Sequence, residues 1–161
     1  MPTQAEVDES IWAMHRAIPS RPLPSPLPRY SIVDYEQLAE IYDPVADLHS
    51  DLLEPSWQHA LSMFLTSWFT YKDPGLFIKR PPTYLGIERQ AFLAGATEVL
   101  CARFDFQPPA WVHAEELVLP EIWDPNEAVM CIFPMDHRLE RAHPLFLKHN
   151  VLAEERNLLC V

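Results

Sequence analysis

Glycine is nearly missing from this sequence: three residues in 161, at positions 75, 86 and 95. That spacing excludes a P-loop, a G-x-G-x-x-G dinucleotide fingerprint and a G-x-S-x-G nucleophile elbow, each of which needs glycines close together. It also argues against two-residue β-hairpins, whose turns call for residues at positive φ. Basic residues are scarce. Twelve Lys plus Arg stand against 23 Asp plus Glu, a formal net charge of −11. Phosphate neutralisation dominates nucleic-acid affinity, so direct nucleic-acid binding is not expected and a basic partner is. Cysteine occurs only at 101, 131 and 160. This odd, widely spaced set fits neither a disulfide framework nor a C-x-x-C site, and reduced thiols in a cytoplasmic protein are expected. No apolar run approaches the roughly 18 residues of a membrane span. The acidic first 20 residues lack the apolar core of a secretory signal.

What the chain does have is apolar residues (48%), enough for a core in one domain of this length, and 17 prolines that cut it into short pieces. Residues 3–17 read as a first helix. Thr3 and Glu6 have capping-box spacing, and Val7, Ile11, Met14 and Ile18 recur at helical intervals. Five prolines between 19 and 28 then favour a stiff polyproline segment. Residues 1–29 are read as helix plus linker, and residues 30–161 as a mainly α domain, a helical bundle with short proline-broken C-terminal segments.

Between 34 and 54 two faces separate. Glu36, Glu40, Asp43, Asp47, Asp51 and Glu54 keep spacings of three and four and share one helical face. Leu38, Ile41, Val45, Leu48 and Leu52 share the other. Pro44 interrupts, so the stretch is one kinked helix or two short ones. The acidic stripe is expected to face outward, and a partner's cations would relieve its internal repulsion. Residues 55–72 form a strongly apolar helix around Trp57, Leu61, Phe64, Leu65 and Trp68, expected at the centre of the core. Residues 85–105 form another, with Phe92, Leu93, Ala96, Val99, Leu100 and Phe104 along one side and a small-residue patch at Ala91, Ala94 and Gly95. Beyond it, 112–119 and 127–133 read as single turns or strand fragments, 136–142, 145–149 and 154–160 as short helical turns.

Catalytic chemistry finds little support. No two of the seven histidines stand three or four residues apart, so no helix face presents a metal pair. No cofactor, metal or catalytic set is expected. The competing class is a small metal- or His-dependent enzyme whose site is assembled from separate segments through His113, His137 or His143. A third is a scaffold using the proline linker, whose role alone would be lost on deleting residues 1–29. Trp111 and Trp123 stand in proline- and acid-rich connections and are candidate interface anchors.

From Arg80-Pro-Pro82 onward, the run of residues 88–100 (ERQAFLAGATEVL), then Pro109-Ala-Trp111, Trp123, Pro144-Leu-Phe146, His149-Asn-Val151 and Leu158, the chain resembles a helical domain of bacterial, especially actinobacterial, proteins. There it often follows a helix-turn-helix domain, and such proteins are antitoxin or regulatory partners of nucleotidyltransferase-type toxins. The resemblance covers about half the chain, and no helix-turn-helix segment precedes it here. It implies an antitoxin-like protein that binds a basic, toxin-like enzyme, with no membrane association. The expected contact residues are Asp43, Asp47 and Asp51 for charge and Trp111 and Trp123 as anchors. The sequence leaves room for homo-oligomers.

Overall fold

The computed structural model describes residues 1–42, 56–125 and 135–159. The fold is mainly α. Among the described residues, six α-helices run in order: α1 (Gln4–Ala17), α2 (Tyr35–Ile41), α3 (Ser56–Tyr71), α4 (Ile87–Phe104), α5 (Met135–Arg141) and α6 (Pro144–Leu147). Short 3-10 turns at Pro74–Leu76, Thr83–Leu85, Ala110–His113, Glu115–Leu117 and Glu155–Leu158 connect them. Among the described residues, extended pairing is confined to one parallel bridge between Trp123 and Val151.

α4 is the hub. Every residue from 90 to 101 is buried, so no face of this stretch looks outward. The sequence pattern predicts a one-sided helix. The structure instead surrounds it, because its polar residues are satisfied internally. Gln90 Oε1 accepts from Arg80 Nε at 3.0 Å. Thr97 Oγ1 donates to the Leu93 carbonyl at 2.7 Å and lies 2.6 Å from the Tyr35 hydroxyl. Burial pushes the Tyr35 phenol well above its ordinary range, so it stays a neutral hydrogen-bonding group. Gly86, at φ 94°, turns the chain into α4, and Asp105, at φ 59°, turns it out. The small-residue patch does what its size allows: Phe146 of α6 lies so close to Gly95 that an added Cβ would stand 2.6 Å from its ring.

α3 packs as its apolar stripe predicts, with Trp57, Leu61, Phe64, Leu65 and Trp68 all buried. Its rings reach α4 edge-on, Trp57 to Phe92 at 5.8 Å and Trp68 to Phe104 at 5.7 Å.

α1 carries its capping box, Thr3 Oγ1 accepting from Glu6 N at 3.2 Å and Glu6 Oε2 from Thr3 N at 2.6 Å. Its inward face differs from the expected one. Val7, Met14 and Ile18 are exposed, and fully buried Trp12 is the residue that enters the core. On a helix Trp12 lies about 140° from Val7. The Val7 side is periodic, but the indole has far more apolar area to remove from water. Trp12 packs on Phe69 and Phe104, each at 6.1 Å, and His15 stacks on Phe69 at 3.9 Å. Arg103 of α4 holds Glu9 of α1 at 2.5 Å and also pairs with Glu155. The proline segment follows the body rather than swinging free: Arg21 N donates to the Thr70 carbonyl at 3.1 Å, and Leu23 and Leu27 pack on the core. Residues 1–29 thus share the hydrophobic core of the rest.

The tail matches its short-turn reading in part. Residues 112–119 resolve into 3-10 turns, and Asn150, at φ 58°, ends the turn after α6. The stretch 127–133 lies outside the described residues. None of the described helices is long and apolar enough to cross a membrane.

Candidate functional site

α2 presents the described part of the acidic stripe. The Asp34 carboxylate caps it, accepting from Gln37 N at 2.9 Å. Tyr35, Leu38 and Ala39 are buried, which leaves Glu36 and Glu40 on the exposed side. Glu40 accepts from Arg29 Nη2 at 2.9 Å and lies 3.5 Å from the Tyr30 hydroxyl. Its neighbourhood raises the already high basicity of Arg29, through the Tyr30 hydrogen bond first and the Glu40 charge next. The helix ends at Ile41 with Tyr42 as its cap. Asp43, Asp47 and Asp51 lie outside the described residues.

Tyr42 and Trp57 flank that acidic segment, and both belong to an aromatic box closed on one cation. The Arg89 guanidinium stands over the rings of Tyr42 at 4.5 Å, Trp57 at 5.3 Å and Trp123 at 5.8 Å. Trp123 therefore shares its cation with Tyr42, the cap of α2. Its backbone is fixed, N donating to the Asn150 carbonyl and O accepting from Leu152 N, both at 2.8 Å. Trp111 is elsewhere. Its Nε1 donates to the Phe77 carbonyl at 3.0 Å, and its ring meets Tyr35 edge-on at 6.0 Å. Both indoles are half-buried in their own fold, so only a minority of either ring is at the surface.

The histidines do not converge. His113 and His137 are exposed on different elements, and His143 caps α6, its Nδ1 accepting from Leu145 N at 3.1 Å. Among the described residues no three of His, Cys, Asp and Glu are placed to share a metal ion. Among the described histidines, His149 is the buried one. Its ring nitrogens meet the Leu117 carbonyl at 2.8 Å and Glu98 Oε1 at 3.0 Å, while Lys148 Nζ donates to Glu98 Oε2 at 2.5 Å. Burial pushes the Glu98 carboxyl up, but the hydrogen bonds from His149 and Lys148 outweigh it and hold the group below its usual range. This cluster ties α4 to the C-terminal segment, with Glu98 and His149 buried and Lys148 at the surface.

Sequence reasoning missed the Arg89 box and the Glu98 cluster. The available signal was an isolated charge within an otherwise apolar helix, which must find a partner when that helix is buried. No family model matches the chain, and no curated protein or solved structure matches it either.

Proposed function

We propose that this chain is a protein-binding, antitoxin-like neutraliser that covers the basic cleft of a nucleotidyltransferase-type enzyme in the cytoplasm. One observation carries the reading: α2 buries its apolar side and turns Glu36 and Glu40 outward, in the register that Asp43, Asp47 and Asp51 continue along the sequence. Charge on that side would steer a basic enzyme into contact and exclude its polyanionic substrate. Trp123, which shares the Arg89 cation with Tyr42 at the end of α2, would supply apolar area to the same contact. Trp111, engaged with Phe77 and Tyr35, contributes less.

The test is co-expression with a nucleotidyltransferase-type enzyme encoded beside this gene, followed by measured association of the purified pair. The triple variant Asp43→Lys, Asp47→Lys, Asp51→Lys should slow association steeply and remove its salt dependence. Unchanged binding after reversal takes the stripe out of the mechanism, and absence of any complex with the unmodified chain takes away the function.

A further inference from the structure

A cleft of about 550 Å³ opens between α2 and the segment 75–84, within the usual size range of small-ligand sites. Most of the charges around it are already committed. Asp34 caps α2, Glu40 holds Arg29, and Arg80 is fixed by Gln90 and by Glu116 Oε1 at 2.6 Å. Two are not. Glu36 on the α2 side and Lys79 on the other are exposed, and neither has a hydrogen bond or ion pair among the described residues. The apolar lining between them comes from Leu76 and Pro82, with Tyr84 at the edge, 65% exposed. The Tyr84 hydroxyl is raised above its ordinary range by partial burial first and then by the charges of Glu40 and Glu36.

We infer that this cleft binds a ligand bearing one cationic group and one carboxylate on an apolar spacer, the chemistry of a basic amino acid, free or at the C-terminus of a peptide. The cation meets Glu36, with Glu40 behind it and the Tyr84 ring face beside it. The carboxylate meets Lys79. A ligand with only a cation leaves Lys79 opposing it, and one with only an anion meets Glu36, so both ends are read together. Own-chain partners hold Asp34, Glu40 and Arg80, which leaves Glu36 and Lys79 to meet the ligand. The inference shares Glu36 and Glu40 with the toxin-binding reading but requires neither the acidic segment beyond α2 nor Trp123, so reversal of Asp43, Asp47 and Asp51 and the ligand titration below fail separately.

The experiment titrates the full chain with L-arginine, agmatine, and Gly-Gly-Arg with a free or amidated C-terminus, followed by amide chemical shifts and calorimetry. Saturable shifts confined to residues 34–40 and 75–84 are expected. Removing or amidating the carboxylate should weaken binding about tenfold, the scale of one charge-assisted hydrogen bond. Glu36→Gln should weaken all the cationic probes. Lys79→Gln should abolish the preference for a free carboxylate. Both side chains are exposed, and an unchanged melting temperature checks that the variants fold. Binding of the free peptide without free arginine identifies a peptide C-terminus as the ligand, and the reverse identifies the amino acid. No saturable binding by any probe, or binding that ignores both substitutions, overturns the site.

Discussion

Glu98 of α4 and His149 of the C-terminal segment meet at 3.0 Å, Oε1 to Nε2, in a part of the core closed to water. The other ring nitrogen faces the Leu117 carbonyl. The ring thus bridges a carboxylate on α4 and a backbone carbonyl of the turn at Leu117. Lys148 places a cation on Oε2.

Removing the carboxylate leaves buried donors without a counter-charge, and Glu98→Ala should destabilise the fold by about 3–5 kcal/mol. The pH dependence follows from the direction of the Glu98 shift. Its folded carboxyl lies below the ordinary glutamate value of about 4.3. The stabilisation is therefore complete above that value and is lost as pH falls through the lower, folded one. Urea denaturation of the native protein and Glu98→Gln from pH 7 to pH 3 should show a shallower acid limb in the variant. Identical limbs would mean that the pair does not couple to folding.

Gly95 is required by the same interface. An added methyl would stand 2.6 Å from Phe146 Cδ1 and 3.3 Å from the Leu145 carbonyl, and the Phe146 ring is fully buried with nowhere to retreat. Alanine gains about 1 kcal/mol in helix propensity. Overpacking costs about 1–3 kcal/mol, and the contact distance here favours the upper end, so Gly95→Ala should lower stability. Phe146→Leu in the Gly95→Ala background should cost less than in the native protein, a coupling that a double-mutant cycle reads directly. Additive effects would place the strain elsewhere.

These two contacts also show where sequence reasoning reached and where it stopped. The patch of Ala91, Ala94 and Gly95 was visible because small residues at helical spacing announce a close approach, although not which ring arrives. The capping box of Thr3 and Glu6 and the apolar stripe of α3 were visible because they are local and periodic. Glu98 and His149 stand 51 residues apart, and Arg89 draws its box from three separate segments, so neither has a period to detect. The α1 face differs from its periodic pattern for a related reason: the periodic Val7 side competes with the single indole of Trp12, and the choice rests on Phe69 and Phe104, far along the chain. Of the acidic stripe, the described residues include Glu36 and Glu40, both exposed on α2.

Trp12 gives that choice a measurable consequence. It is fully buried between Phe69 and Phe104, with Arg103 stacked 5.2 Å from its ring. Trp12→Ala should cost about 3–5 kcal/mol. Val7→Ala and Met14→Ala, on the exposed side, should each stay within about 0.5 kcal/mol. Deleting residues 1–29 should do more than remove a spacer: it should uncover Phe69 and Phe104 and lower the melting temperature of the remainder. A truncated chain as stable as the native one would show that α1 contributes nothing to the core.

Cys101 offers a test of the α4 environment that needs no substitution. Its thiol is buried among apolar residues and is pushed up to about 12, by desolvation first and by the nearby Glu98 charge next. The thiolate is the reactive form, so at pH 8 the group is both inaccessible and protonated. Ellman's reagent should label no more than two of the three cysteines in the native protein and all three in denaturant. The rate of the third should follow global unfolding, because Cys101 belongs to the stretch 90–101 of α4 that is buried throughout. Faster labelling of Cys101 than unfolding allows would show that the hub opens on its own, and the Glu98→Gln variant would tell whether the charge contributes: relieving it should lower the thiol's value without making the group accessible.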